Sequence, residues 1–168
     1  SGASWDKVSS FSASDSGNGV GIPIVLFDKA SGAKGKPTPT LYAGVANKDG
    51  SLFRSTDAGA TWKLVPKQPT GVMASHAEFD STGVLYISYG DAPGPNNVME
   101  GAVWKYEPKL EKFINITPAA PKKGDTFGYG GLSVDAAHPG TVMVSTIDRW
   151  THGDEVYRTT DGGKTWKP

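Results

Sequence analysis

The side chains best suited to chemistry gather in two loops. Asp148-Arg149-Trp150 and Gly153-Asp154 fall between two β-rich runs, and Asp91 and Glu100 bracket a second loop rich in Gly, Pro and Asn. Loop carboxylates can act as general acid and base, or they can hold turns by accepting backbone N–H groups. Trp150 stands off the alternation of the preceding strand, so its indole either packs under its own loop or offers a face to the apolar side of a sugar ring. Tyr129 and Tyr89 occupy similar places on the repeat, where a strand tyrosine is either core or contact. His76, His138 and His152 show no short ligand spacing and Cys is absent, so no metal site, thiolate nucleophile or disulfide is expected. Nor is a cofactor expected. Gly163-Lys164-Thr165 imitates the end of a phosphate loop, but position 158 is Arg where that motif needs Gly, and a Trp strand follows where it needs a helix. Gly128-Tyr129-Gly130-Gly131 lacks the strand-then-helix setting of a dinucleotide site.

The elements that must position these loops are announced by a repeated turn. Ser55-Thr56-Asp57-Ala58-Gly59-Ala60-Thr61-Trp62 returns as Thr159-Thr160-Asp161-Gly162-Gly163-Lys164-Thr165-Trp166, each copy preceded by a short β-rich run. This is the Asp-box of β-propeller hairpins. Asp57 and Asp161 can accept turn N–H groups, Gly59 and Gly163 can take positive φ, and Trp62 and Trp166 can pack beneath the turn. A decayed copy at Glu107–Phe113 puts Phe113 in the Trp slot, and Ser1-Gly2-Ala3-Ser4-Trp5 matches the tail of another. The closing aromatics Trp5, Trp62, Phe113 and Trp166 lie 57, 51 and 53 residues apart, a spacing suited to propeller blades.

An all-β chain of about three four-stranded antiparallel blades is therefore expected, approximately 22–66, 74–118 and 127–168, forming an incomplete propeller. With 22 Gly and 12 Pro in 168 residues, short strands and turns are favoured over long helices. Ile22–Phe27 is nearly continuously apolar and reads as a strand buried on both faces. A polar loop is expected over Ser12–Gly21. Trp5–Phe11 reads as an orphan outer strand able to complete the last blade, within the chain or by exchange between copies. Closed propellers use about four to eight blades, so exposed blade faces, and with them self-association or further blades, are expected. Lys plus Arg and Asp plus Glu each number 17 with no like-charge run, which argues against nucleic acid or an anionic membrane as partner. The N-terminus lacks the regions of a signal peptide and reads as a cut or mature start. Asn115-Ile116-Thr117 is a glycosylation sequon.

Several segments, in order, closely resemble the xyloglucan-hydrolysing glycoside hydrolases of family 74. They are Phe127-Gly128-Tyr129-Gly130-Gly131-Leu132-Ser133-Val134-Asp135, then His138-Pro139-Gly140-Thr141-Val142-Met143-Val144, then Asp148-Arg149-Trp150, Gly153-Asp154 and the last Asp-box. Pro69-Thr70-Gly71-Val72-Met73 and Gly94-Pro95-Asn96 also look like loops of that family, and the resemblance runs from Ile24 onward. It implies two seven-bladed propellers gripping a glucan between them, with this chain as consecutive blades of the first. It further implies a secreted protein, xyloglucan or a related β-glucan as partner, and substrate contacts at Trp150, Tyr129, Asp148, Arg149 and His76. The family's catalytic Asp residues lie in Asp-Gly-Gly or Gly-Asp-x-Gly-Gly contexts. Here only Asp161-Gly162-Gly163 has those letters, inside an Asp-box, so no catalytic residue is assigned and the isolated chain is expected to be inactive. Relatives often carry a second Trp after Asp-Arg-Trp, where this sequence has Thr151. The competing reading is a non-catalytic propeller module for glycan or protein, or a self-assembling scaffold.

Overall fold

The computed structural model describes residues 2–13, 21–150 and 152–168. Three antiparallel sheets follow one another along the chain. The first contains β1 (Ile24–Phe27), β2 (Leu41–Gly44), β3 (Leu52–Ser55) and β4 (Lys63–Leu64), in that order. The second contains β5 (Met73–Phe79), β6 (Leu85–Gly90), β7 (Gly101–Glu107) and β8 (Lys112–Asn115), again in sequence order. The third contains β9 (Gly128–Val134), β10 (Val142–Ile147) and β11 (Val156–Thr159), and a single antiparallel bridge from Arg158 to Lys167 stands where a fourth strand would pair. These up-and-down meanders are propeller blades.

The blades pack face to face, and β6 shows how the sequence builds two interfaces from one strand. All six of its residues are buried. Leu85, Ile87 and Tyr89 join Ile24, Tyr42, Leu52, Val65 and Tyr106 between the first and second blades. Tyr86 points the opposite way, into the cluster of Val103, Phe127, Tyr129, Val142 and Val144 between the second and third. Alternation with a period of two is thus spent on two neighbours at once. Ser88, also on the second of these faces, donates its hydroxyl to Gly130 O at 2.9 Å. Backbones nearly touch at this seam: a Cβ on Gly101 would lie 2.4 Å from Gly128 Cα, so only glycine fits.

Two expectations change. Ile22–Phe27 is not buried on both faces: Ile24 is inside, but Val25 and Phe27 are 63% and 56% exposed, because β1 lies on the outward face of the series. The strand with both faces covered is β6. Residues 5–11 form no strand, and Ser10 and Phe11 lie on the first blade. Ser10 Oγ donates to Gly59 O at 2.6 Å, and the Phe11 ring sits 5.3 Å from Phe53 and 4.8 Å from Trp62. Aromatic contact with the Asp-box, not ladder pairing, fixes the end of this arm. The polar loop expected over Ser12–Gly21 lies largely outside the described residues, as do Ser1 and Thr151.

Candidate functional site

The β2–β3, β6–β7 and β10–β11 connections emerge at one end of the sheets, and the Asp-boxes occupy the other. At the loop end, Trp150 is 84% exposed. Its ring borders two neighbouring cavities of about 440 and 370 Å3, both also lined by Asn96 and Asp148. An indole with that exposure is not core, so packing under its own loop does not explain it.

The residues around Trp150 hold it from two sides. Asp148 has φ of 65°, a left-handed conformation that Asp tolerates better than most residues. Its Oδ1 accepts the Trp150 Nε1–H at 2.5 Å, and its Oδ2 accepts the Val98 N–H at 2.9 Å from the loop of the second blade. Arg149 faces inward. Its guanidinium makes paired 2.8 Å bonds to both oxygens of Asp125, bonds Glu155 and the Tyr157 hydroxyl, and lies 4.6 Å above the Phe127 ring. Bonding to Asp125 raises the Arg149 pKa further, and the same bonds hold the Asp125 carboxyl below its ordinary range. Glu155 is lowered as well, first by the Tyr157 hydroxyl and then by Arg149, while burial pushes Tyr157 upward. The loop is thus pinned to the segment before β9 and to the start of β11.

Asp154 and Asp91 are likewise engaged with the chain. Asp154 Oδ1 accepts Thr146 Oγ1–H and Arg149 N–H, and Asp91 Oδ1 accepts the amides of Met99 and Glu100. Glu100 is exposed. Among the described residues no group of three or more His, Asp or Glu side chains is gathered to hold a metal ion.

Several sequence-predicted site residues take other places. Tyr129 is fully buried, its hydroxyl donating to Ala119 O at 2.7 Å and accepting Ala119 N–H at 3.1 Å, so it is core and cannot meet a ligand at the surface. Burial raises its pKa. Arg149, with side-chain exposure of 9% and its donors taken by the chain, holds the loop instead of reaching outward. His76 is exposed on β5 opposite Ser88, beside a register shift, and lines neither cavity next to Trp150. Asn96 and Asp125 were not anticipated as site residues. Asn96 was visible only as part of Gly94-Pro95-Asn96, and nothing in sequence pairs Asp125 with an arginine 24 residues away.

Comparison with known proteins supports the same architecture. A BNR/Asp-box repeat model matches residues 157–168. A xyloglucanase of Paenibacillus sp. is 44% identical over 98% of this chain and 17% of its own length, and Xyloglucanase Xgh74A of Acetivibrio thermocellus is 40% identical over 99% of this chain and 21% of its own. The crystal structure of the GH74 xyloglucanase from Xanthomonas campestris superposes with a TM-score of 0.92 at 42% identity, covering 99% of this chain and 25% of that one. Over nearly its whole length the chain is similar to family 74 glycoside hydrolases. It spans about a fifth of the length of the curated relatives it matches. In this chain the three sheets are propeller blades, as in that family, and the Trp150 loop is an exposed feature of their loop end.

Proposed function

We propose that this chain forms part of a secreted endo-β-1,4-glucanase acting on xyloglucan or a related β-glucan, and that it supplies cleft side chains while the catalytic acid and base lie elsewhere in the protein. The observation that carries this reading is Trp150: an indole 84% exposed, fixed at its edge and bordering two cavities, offers its flat apolar faces to a sugar ring. The names of the relatives supply the substrate class. The engagement of Asp91, Asp148 and Asp154 with backbone and indole supports placing the acid–base pair outside this chain. Further blades of the first propeller cover the exposed outer faces of the first and third sheets.

Titration of the protein with xyloglucan oligosaccharides tests this. Trp150→Ala is expected to weaken binding by about thirtyfold, the cost of truncating a central aromatic contact of about 2 kcal/mol. Unchanged affinity would overturn the proposed role of the ring. Reducing-sugar release from xyloglucan by the 168-residue chain alone would overturn the placement of the acid and base.

A further inference from the structure

We propose that Asp148 is a positioning residue: it sets the angle of the Trp150 ring and references that angle to the second blade, without itself contacting the glycan. The inference rests on the reading of Trp150 as a glycan platform. A tryptophan exposed on a loop has two free side-chain torsions, and fixing them on binding costs affinity. Asp148 removes that freedom beforehand. One carboxylate oxygen takes the indole N–H and the other takes the Val98 amide, so the carboxylate links ring and neighbouring blade.

Val98 is a firm point of reference. It is 1% exposed and wedged in the seam between the second and third blades. A Cβ on Gly128 would lie 2.3 Å from Val98 Cγ1, and one on Gly90 would lie 3.1 Å from the same atom. Residue 149, next in sequence, is held on the opposite side by Asp125 and Glu155. The backbone between these two anchors has little room to move, and the indole hangs from it by its edge. Because its N–H is already used, the ring recognises a sugar through its faces.

Asp148→Asn separates the two roles of the carboxylate. The amide oxygen can still accept the Val98 N–H, but the amide NH2 then meets the indole N–H donor to donor. In protein labelled with 15N at tryptophan, the Trp150 indole signal, identified by its absence from Trp150→Phe, is expected to shift upfield and exchange faster in Asp148→Asn. An unmoved signal would overturn the proposal. Oligosaccharide affinity is expected to fall about tenfold in Asp148→Asn, as for loss of a hydrogen bond to a charged group. In a Trp150→Phe background, which has no indole N–H, the same substitution is expected to change nothing. An equal loss in both backgrounds would mean that Asp148 touches the sugar directly, and would overturn the positioning role. Should Asp148→Asn fail to fold, the unsubstituted protein still decides: a Trp150 N–H exchanging as fast as that of a blocked Trp peptide would contradict the clamp. Loss of the platform itself is read separately, by Trp150→Ala.

Discussion

Asp57 and Asp161 show how much of a turn one carboxylate can organise. Asp57 accepts the Thr61 amide and the Ser55 and Thr61 hydroxyls, while Ser55 Oγ accepts the amides of Asp57 and Gly59. Asp161 repeats the arrangement with Thr159 and Thr165 and adds the Lys164 amide. Donation by Thr61 brings the Asp57 pKa down to about 2, and Thr165 lowers Asp161 further still. A folded pKa below the unfolded value of 3.8 gives stability that is present above about pH 4 and lost as pH falls through about 2. Thermal unfolding followed by circular dichroism should therefore show a melting temperature that declines between pH 4 and 2. Asp57→Asn and Asp161→Asn should each lower the neutral-pH value and lessen that decline, leaving the parts due to the other Asp-box carboxylate and to Asp125, Asp135 and Glu155, whose carboxyls are also lowered. The Asp-box was legible in the sequence because its hydrogen bonds close within eight residues. The Arg149 network was not, since its partners at 125, 155 and 157 come together only when two loops and a strand converge. For the same reason Tyr129 looked available in sequence: only the packed seam reveals that its hydroxyl is occupied by Ala119.

Equivalent positions in equivalent hairpins diverge according to what lies beside the blade. Trp62 donates its indole N–H within its own turn, to Gly59 O at 3.1 Å, whereas Trp166 reaches the neighbouring blade at Ile116 O, 2.7 Å away. Gly59 and Gly163 both have positive φ, of 90° and 84°. A Cβ on Gly59 would meet only Trp62 at 3.8 Å, but one on Gly163 would lie 2.6 Å from Ile116 Cβ. Gly59→Ala should thus cost only backbone strain, about 1–2 kcal/mol, and Gly163→Ala about 1–3 kcal/mol more through overpacking against the second blade. Urea unfolding of the two variants measures the difference, and equal losses would contradict the interblade contact. The decayed copy of the box departs further. A 3-10 turn at Pro108–Leu110 and Glu111 at φ of 47° replace the Asp-centred bonds, and Phe113 stacks on Tyr106 with centroids 4.4 Å apart. Alternation and aromatic spacing revealed the strands. They could not reveal that β1 has one covered face, because that depends on which blade stands beside it.

At the scale of the molecule, the three sheets form an open series. Val25 and Phe27 on one outer face, and Met143 and Val156 on the other, are 45% to 63% exposed, while every residue of β6 between them is buried. The outer faces thus expose apolar side chains of the kind that the inner seams bury. Sedimentation of the 168-residue chain should show concentration-dependent association that Phe27→Lys and Met143→Lys together weaken, and a monomer at all concentrations would contradict that expectation. The loops of successive blades emerge together at one end, which is how Asn96 of the second blade and Trp150 of the third border the same two cavities. That meeting of blades is the basis of the proposed glycan contact. A crystal structure of the protein with a bound xyloglucan oligosaccharide tests it most directly. The account predicts a glucosyl ring lying flat on a face of Trp150, with the indole N–H still on Asp148. A glycan bound instead along the Asp-box end, with Trp150 bare, would contradict it.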